Sequence, residues 1–506
     1  MDTSTKIEKR REEARKRQQE IKKRENAKIS QKTKHAILSV CITVLSILVI
    51  LALIFPNTGL SRRMLTAVTI GDTKVSVAEY SYYYRSSFNN YYQTIQNYFG
   101  GNYMPIDLTK SLEKQAYSED QTYADYFSNQ AISSLKEVIV LAEEAQKAGF
   151  ELPADSQQAL EESLASVKTS AEASGVSVNN YLSTNFGMGF NMTLLEKCVR
   201  RELLADAYKS FKEGSFEYTE DELDAFYNDH HIDYDVADIR MVTFTSSEAT
   251  EDAEAVTIEE ARAKAEAFAE GITSEEDFAA RALEKAQEQD PGAEDTSLIT
   301  NLRFSSLTSA DQNVANWVFY LNHKAGDCEV VDGADGTTVY VLYMIAAPHR
   351  QTENTVDIRH ILIAPEDAES EESKAEAKAK AEEIYQQFLD GGASEDLFAQ
   401  LATENSTDTG SASNGGLYTG VYPGQMVQSF NDWCFDEARF AGDSGIIESE
   451  YGYHIMYFVG ENEARWIIDA RADKQAEDYT SWYSEVADIY PVTNHEFAMR
   501  YRSEPI

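Results

Sequence analysis

The sequence predicts an α+β protein with one membrane helix near its amino terminus, a mostly helical domain and a duplicated unit of mixed structure. Three observations lead to this prediction. Residues 36–55 form an uncharged apolar segment, apolar residues recur at helical spacing through 66–230, and 234–348 repeats in 356–460. A chain of 506 residues has room for about three or four domains of ordinary size.

The charge of the chain changes sign at the apolar segment. The whole chain has 45 Lys and Arg against 86 Asp and Glu, a net charge of −41. Residues 1–35 hold 13 basic and 6 acidic side chains, a net +7, so the remainder holds 32 against 80, a net −48. Because a body this acidic repels a phosphate backbone, we exclude nucleic acid as a partner.

The segment 36–55 has no charged residue in 20 positions. A helix of this length spans about 30 Å, the thickness of the hydrocarbon core of a bilayer. The basic arm at 1–35 is too long for a signal peptide, and the positive-inside rule assigns it to the cytoplasm. We therefore expect a single-pass protein of the cell membrane, with its carboxy-terminal bulk extracytoplasmic.

Residues 66–230 are predicted to form a mostly helical domain that begins with a β-hairpin. Apolar residues alternate on both sides of Gly71-Asp72, which is typical of a hairpin. Between Tyr80 and Tyr98, aromatic residues at spacings of three and four indicate one face of a helix. Further helices are expected at 124–148, 154–173, 190–212 and 219–229.

An internal repeat follows this domain. Three segment pairs match: DIRMVTF at 238–244 with DIRHILI at 357–363, SEEDFAARA at 274–282 with SEDLFAQLA at 394–402, and NWVFYLNHKAGD at 316–327 with DWCFDEARFAGD at 432–443. They keep their order at offsets of 119, 120 and 116 residues. Each copy has the pattern of a strand, several helices and a closing strand, which predicts a duplicated α+β domain.

The tail at 464–506 is predicted to contain one long helix and, after Pro491, a second short helix. A segment of about 40 residues cannot bury a core of its own. We therefore expect the tail to pack on the helical amino-terminal domain.

We expect no metal site in this chain. The extracytoplasmic cysteines Cys198, Cys328 and Cys434 lie in apolar or mixed stretches, so we expect three buried thiols. The segment DHHIDYD at 229–235 contains residue types that bind metals, but adjacent histidines point in different directions on a regular element. We interpret it as a domain linker.

The second copy, 356–460, resembles the parvulin family of peptidyl-prolyl isomerases. The resemblance rests on RHILI at 359–363, FAQLATENSTD at 398–408, GGLY at 415–418, GQMVQSF at 424–430 and YGYHI at 451–455. It implies an antiparallel four-stranded sheet with helices, and isomerisation of X–Pro bonds without metal, cofactor or covalent intermediate. The wider layout is similar to that of extracytoplasmic foldases of the PrsA and SurA type, which have a helical chaperone-like domain.

The resemblance also implies roles for seven residues of this sequence. The catalytic group would consist of His360, Asp408, His454 and Ser449. The pocket for the proline ring would consist of Leu417, Met426 and Phe430. Apart from the resemblance, these residues are also compatible with hydrogen-bonded buried histidines, a loop acid and ordinary core side chains. A carboxylate at position 408 favours an electrostatic or hydrogen-bonding role, and the sequence departs from the family pattern around Tyr418.

The first copy, 234–348, lacks most of these residues. It has no Gly-Gly-Leu, and four of its residues replace those of the second copy: Met241 for His360, Tyr340 for His454, Ala310 for Met426 and Val314 for Phe430. We expect a degenerate parvulin-like repeat without isomerase activity, which binds polypeptide or spaces the other domains.

These expectations combine into one leading hypothesis, a membrane-anchored isomerase that assists the folding of exported proteins. Its partners would be unfolded or partly folded polypeptides with X–Pro bonds, and the layout also allows a homodimer. The acidic segment PEDAES at 365–370 argues against phosphorylated substrates, since like charges repel. The alternatives are a holdase whose parvulin modules only bind polypeptide, and a surface scaffold that binds wall polymers.

Overall fold

The computed structural model describes residues 3–27, 35, 37–46, 59–100, 104–248, 255–288 and 290–505. The first helix, Thr3–Ala27, is strongly charged, and residues 37–46 are also helical. Among the described residues, no helix is both long and apolar enough to cross a bilayer. Positions 36 and 47–55 of the predicted membrane segment lie outside the described residues.

The chain divides into two compact units, Met1–Ser215 with Tyr479–Ile506, and Phe216–Asp478. After the amino-terminal helices, the first unit has helices Gly59–Met64, Val77–Phe99, Tyr123–Lys147, Ala154–Ala173, Val178–Phe186 and Met192–Gly214. The helix Val178–Phe186 is absent from the sequence prediction, although Ser177 caps its start and Gly187 ends it.

A three-stranded sheet in the first unit joins the hairpin to the tail. Strands β1 (Thr66–Ile70) and β2 (Thr73–Ser76) form the predicted hairpin, and β11 (Val492–Asn494) pairs antiparallel with β1. The expectation that the tail is helical is therefore wrong for Val492–Asn494. An exposed edge of β1 would leave backbone N–H and C=O groups unpaired, and the tail pairs with them. The short helix Glu496–Met499 follows.

Aromatic side chains dominate the core of the first unit. Tyr80, Tyr84 and Phe127 are fully buried. The rings of Tyr84 and Phe127 pack edge to face with their centroids 6.4 Å apart. Tyr490 and Met499 of the tail belong to the same core, so the tail from Tyr479 onward packs on the helices of this unit. Residues 464–478 belong to the second unit, where Trp466 packs in a core with Leu223, so the expectation for the tail is wrong for this part.

The second unit contains two four-stranded antiparallel sheets. The first consists of β3 (Val236–Thr245), β4 (Leu298–Arg303), β5 (Cys328–Asp332) and β6 (Thr338–His349), in the order β4-β3-β6-β5. The second consists of β7 (Asn354–Ile363), β8 (Leu417–Val421), β9 (Ser444–Ser449) and β10 (Gly452–Ala464), in the order β8-β7-β10-β9. The two sheets therefore have the same strand order.

The strand register relates the two sheets position by position. In the second sheet His454 lies opposite Leu362. In the first sheet Tyr340 lies opposite Thr243, which precedes Leu362 by the repeat offset of 119 residues. Tyr340 therefore occupies the register position of His454.

Helices surround both sheets. Those near the first are Glu220–Tyr234, Ile258–Ala269, Glu275–Gln287, Phe304–Ala310 and Gln312–Tyr320, and those near the second are Glu371–Asp390, Glu395–Asn405, Gln428–Cys434 and Arg465–Asp488. The linker prediction for 229–235 is wrong, since this segment completes a helix that is kinked at His230. His230 Nδ1 contacts the carbonyl of Phe226 and His231 Nδ1 contacts Asp235, so the two rings have separate partners. Among the residues described, no His, Cys, Asp and Glu cluster is arranged to hold a metal ion.

The cysteines differ in burial. Cys198 and Cys434 are buried, but Cys328 is only half-buried because it begins β5, an edge strand of its sheet. The expectation of three buried thiols is therefore wrong for Cys328. Burial raises the pKa of Cys434 to about 12 and that of Cys328 to about 11, so both remain protonated at neutral pH.

The two faces of the second sheet have different cores. Successive side chains of a strand point to opposite faces. Ile361 and Phe388 belong to the core on one face, whereas Ile358 and Phe430 belong to the core on the other. His360 shares the face of Ile358, which we call the site face.

Candidate active site

Two histidines from adjacent strands lie together on the site face. His360 on β7 is opposite Met456, and His454 precedes Met456 by two residues on β10. A spacing of two along a strand keeps both side chains on one face of the sheet. The two histidines are only 4% and 5% exposed.

A chain of hydrogen bonds runs through this pair. His360 Nδ1 lies 3.2 Å from His454 Nδ1. His360 Nε2 lies 2.9 Å from Asp408 Oδ2 at one end of the chain, and His454 Nε2 lies 2.7 Å from Ser449 Oγ at the other. The structure therefore brings the four predicted catalytic residues into one network.

The carboxylate of Asp408 sets the direction of each hydrogen bond in this network. An ionised carboxylate only accepts hydrogen bonds, so His360 Nε2 must carry a proton and donate a hydrogen bond to Asp408. The Nδ1 lone pair of a neutral His360 then accepts from the Nδ1–H of His454. The remaining lone pair, on His454 Nε2, accepts the hydroxyl proton of Ser449. The network thus assigns the Nε2–H tautomer to His360 and the Nδ1–H tautomer to His454.

Burial keeps both imidazoles neutral. It lowers the pKa of His360, and the hydrogen bond to Asp408 opposes this effect only in part. Burial, together with the neighbouring His360, lowers the pKa of His454 to about 4. Burial also disfavours the charge of Asp408, but hydrogen bonds, led by those from Ser411 and His360, outweigh it and hold the pKa of this carboxyl well below its ordinary value.

Two residues that the sequence analysis did not assign also contact Asp408. The Ser411 hydroxyl donates to Asp408 Oδ2, and its oxygen lies 3.2 Å from His360 Nε2. The Tyr418 hydroxyl donates to the same carboxylate oxygen at 3.1 Å. A sequence signal did exist for Ser411, because a Ser three residues from an Asp in a loop commonly forms a local hydrogen bond with it.

The loops around Asp408 are fixed to β7 by close backbone contacts. Thr407 N–H donates to the carbonyl of Leu362 at 2.8 Å. Gly416 has φ +71°, and a β-carbon at this position would lie 2.2 Å from the carbonyl oxygen of His360. The second glycine of the Gly-Gly motif is therefore required because the chain at Gly416 passes too close to the His360 backbone to leave room for a side chain.

Aromatic and apolar side chains surround the histidine pair on the site face. The ring of Phe430 lies 5.5 Å from each histidine ring and nearly perpendicular to both. The ring of Tyr418 lies 5.2 Å from that of His360. Met426 is half-buried and packs against the same core as Phe430.

Leu417 lies apart from these residues. It is opposite Arg359 in the register, whereas Tyr418 is opposite Ile358. Directly opposite residues share a face, and Arg359 points away from the face of Ile358. The register therefore places Leu417 behind the sheet and Tyr418 beside the histidines. A shift of one residue along a strand reverses its faces, which is why the motif alone misassigned Leu417.

A segment that contains nearly all of the second sheet matches a known domain family. The sequence profile of the PPIC-type PPIase domain matches residues 340–461. Foldase protein PrsA 1 of Listeria innocua is 31% identical over 128 residues, which cover 25% of this chain and 38% of that protein. Chaperone SurA of Chromohalobacter salexigens is 38% identical over 127 residues, which cover 25% of this chain and 26% of that protein. The matched regions thus span well under half of these relatives.

Two solved structures of PrsA also align with this chain, at low TM-scores. PrsA from Bacillus subtilis aligns with 78% of this chain and 95% of its own, at 14% identity and a TM-score of 0.26. A PrsA structure from Bacillus anthracis aligns with 27% of this chain at 22% identity and a TM-score of 0.18. The profile match and the sequence relatives show that this chain carries a parvulin-type PPIC domain and is similar, over that domain, to the PrsA and SurA foldases.

Proposed function

We propose that this protein is a membrane-anchored, extracytoplasmic peptidyl-prolyl isomerase that assists the folding of exported proteins. The parvulin domain at 356–460 would catalyse the isomerisation, and the histidine network would be its active site. The observation that carries the proposal is that Asp408, His360, His454 and Ser449 form one hydrogen-bonded chain beneath the ring of Phe430.

Isomerisation requires little chemistry from the protein. The barrier of about 20 kcal/mol arises because twisting the amide breaks its resonance. A catalyst must therefore bind the twisted amide better than either planar form. Tyr418, Met426 and Phe430 supply apolar surface for the pyrrolidine ring.

The polar groups that could reach the twisted amide lie at the two ends of the network. Asp408 has a side chain that is 20% exposed, and Ser449 is also partly exposed, whereas the His360 side chain is 6% exposed. We propose that Asp408 and Ser449 act on the substrate and that the neutral histidines hold them in position. Proton transfer to the substrate is not needed in this mechanism.

The site also supports a mechanism without a covalent intermediate. A carboxylate occupies position 408. Among the described residues, Cys434 supplies the only thiol in the core of the site face. Burial raises its pKa to about 12, so it is a poor nucleophile at neutral pH.

The anchor and the partners are further parts of the proposal. The uncharged segment 36–55 after a basic arm supports a single-pass anchor with the amino terminus in the cytoplasm. Relatives named foldase and chaperone support unfolded polypeptides with X–Pro bonds as partners. The test of the anchor is membrane fractionation: the full chain should stay with membranes after an alkaline wash, and a variant without 36–55 should not.

Isomerisation of a proline-containing peptide by the full chain in detergent micelles tests the activity. The wild type should accelerate it, and the His360→Ala, His454→Ala double variant should lose at least about tenfold in kcat/KM. Asn313→Ala, in the first copy, is the control. Equal rates for wild type, double variant and buffer would overturn the isomerase. The holdase alternative instead predicts that suppression of client aggregation survives in the double variant while no isomerisation occurs.

A further inference from the structure

A short turn links the strand that carries Tyr418 to the helix that carries Phe430. Residues 422–425 form this turn, closed by a hydrogen bond from Gln425 N–H to the carbonyl of Tyr422 at 3.1 Å. Met426 follows it directly. We call residues 422–425 the pocket turn.

The first copy contacts the pocket turn through Asn301, on β4, an edge strand of the first sheet. The Asn301 side-chain amide donates to the carbonyl of Pro423 at 2.8 Å. Its oxygen accepts from the buried Gln351 at 2.8 Å, which fixes the orientation of the amide. The contact is close, since a β-carbon on Gly424 would lie 2.6 Å from the Asn301 nitrogen.

The backbone of Asn301 shows that this residue is specialised for the contact. The N–H of Asn301 donates to the side chain of Asp238. At the equivalent position of the second copy, the N–H of Gly420 donates to the side chain of Asp357. Both positions have positive φ, +53° for Asn301 and +65° for Gly420. Glycine adopts this conformation without cost, whereas Asn adopts it less readily. The first copy thus has a side chain where the second has none, and that side chain contacts the pocket turn.

A second contact reaches the same turn. Asp469 forms ion pairs with Arg303 of the first copy and with Arg465, both in the second unit. The guanidinium of Arg465 lies 3.6 Å from the ring centroid of Tyr422, in the pocket turn. Two separate sets of side chains therefore connect the first copy with the pocket turn.

The pocket turn in turn holds the helix that carries Phe430. Gly424 N–H donates to the side-chain oxygen of Asn431 at 2.6 Å. Asn431 is adjacent to Phe430, which packs against both histidines. A displacement of the turn would therefore move both Met426 and Phe430.

We propose that the first copy positions the proline pocket of the second, and that Asn301 is the positioning residue through which it does so. This inference rests on the proposed function for its kinetic readout. It gives the degenerate copy a role that needs neither histidines nor a substrate site of its own.

Substitution of Asn301 in the full chain tests the inference. Asn301→Asp keeps an oxygen for Gln351 but cannot donate to Pro423, and Asn301→Gly keeps the left-handed backbone while removing the side chain. The matched control is Asn313→Ala, which removes a similar hydrogen bond, to the Asp332 carbonyl, elsewhere in the first copy. Both Asn301 variants should raise KM for a proline peptide by about threefold to tenfold, the effect of one lost hydrogen bond, with kcat little changed.

Hydrogen exchange of the segment 422–431 supplies a readout that does not require activity. Exchange should become faster in both Asn301 variants and stay unchanged in Asn313→Ala, with the thermal midpoints preserved. Unchanged KM and exchange in the Asn301 variants, or equal effects in the control, would overturn the positioning role. If the wild type is inactive, the proposed function fails, and the exchange measurement alone decides whether Asn301 holds the turn.

Discussion

His360 and His454 face each other through their Nδ1 atoms at 3.2 Å, and only one of these two nitrogens can carry a proton. Protonation of His360 at Nδ1 would place two N–H groups in opposition, and protonation of either ring would bury a positive charge. The pair is therefore stable as two neutral rings of opposite tautomer, with Asp408 and Ser449 at its ends.

The first prediction concerns the carboxylate that sets the proton positions. Asp408→Asn has nearly the same shape but no charge, so the amide can no longer accept from Ser411, Tyr418 and His360 as a carboxylate does. We expect kcat/KM for a proline peptide to fall at least about tenfold. Asp436→Asn, on an exposed loop of the same domain, should have no effect. Equal activity of the two variants would contradict the electrostatic role of Asp408.

The second prediction concerns pH. The pKa of His454 is lowered to about 4 in the folded protein from an ordinary value of 6.5, so the unfolded chain takes up the proton first as the pH falls. The stability contribution is thus fully present above about pH 6.5 and is lost as the pH falls toward 4. Its size is about 3 kcal/mol. Activity depends on the folded protein alone, so it should stay nearly flat below pH 6.5 and fall only as the pH approaches 4.

Urea unfolding between pH 4 and 7.5 measures this effect. The difference in unfolding free energy between wild type and His454→Gln should widen as the pH rises from 4 to 6.5 and then stay constant. A difference that does not depend on pH would mean that His454 titrates normally in the folded protein.

The third prediction separates Tyr418 from Leu417. Tyr418→Ala should raise KM and lower kcat, because it removes both a ring beside His360 and a donor to Asp408. Tyr418→Phe should affect kcat more than KM, since only the donor is lost. Leu417→Ala, on the opposite face, should leave both constants nearly unchanged. A larger loss in Leu417→Ala than in Tyr418→Ala would contradict the strand register.

The fourth prediction concerns the glycine beside His360. Gly416→Ala would place a β-carbon 2.2 Å from the His360 carbonyl oxygen at a left-handed φ. We expect a loss of about 2–4 kcal/mol in unfolding free energy, together with loss of activity. Gly460→Ala, on β10 with no atom near the added carbon, is the matched control. Equal stability of the two variants would show that the backbone at Gly416 does not pass close enough to the His360 carbonyl to exclude a side chain.

Much of the site could be predicted from the sequence because its residues lie in short local patterns. RHILI and YGYHI each indicate a strand with one histidine, and the family resemblance was sufficient to pair them. The prediction failed for Leu417 because the strand register decides which face of the sheet its side chain lies on. It missed Ser411 because the loop conformation brings this residue to Asp408.

The sequence by itself determined the charge division at 36–55, the duplication, and the residue types of the network. Only the tertiary structure decided the faces and the partners. Pairing of β7 with β10 brings His360 to His454 across 94 residues, and β8 turns Tyr418 rather than Leu417 toward them. It also brings Asn301 of the first copy to Pro423. Such contacts depend on how strands from distant segments pair. A local pattern of residue types does not specify the register of that pairing, and a shift of one residue would reverse the faces of a strand.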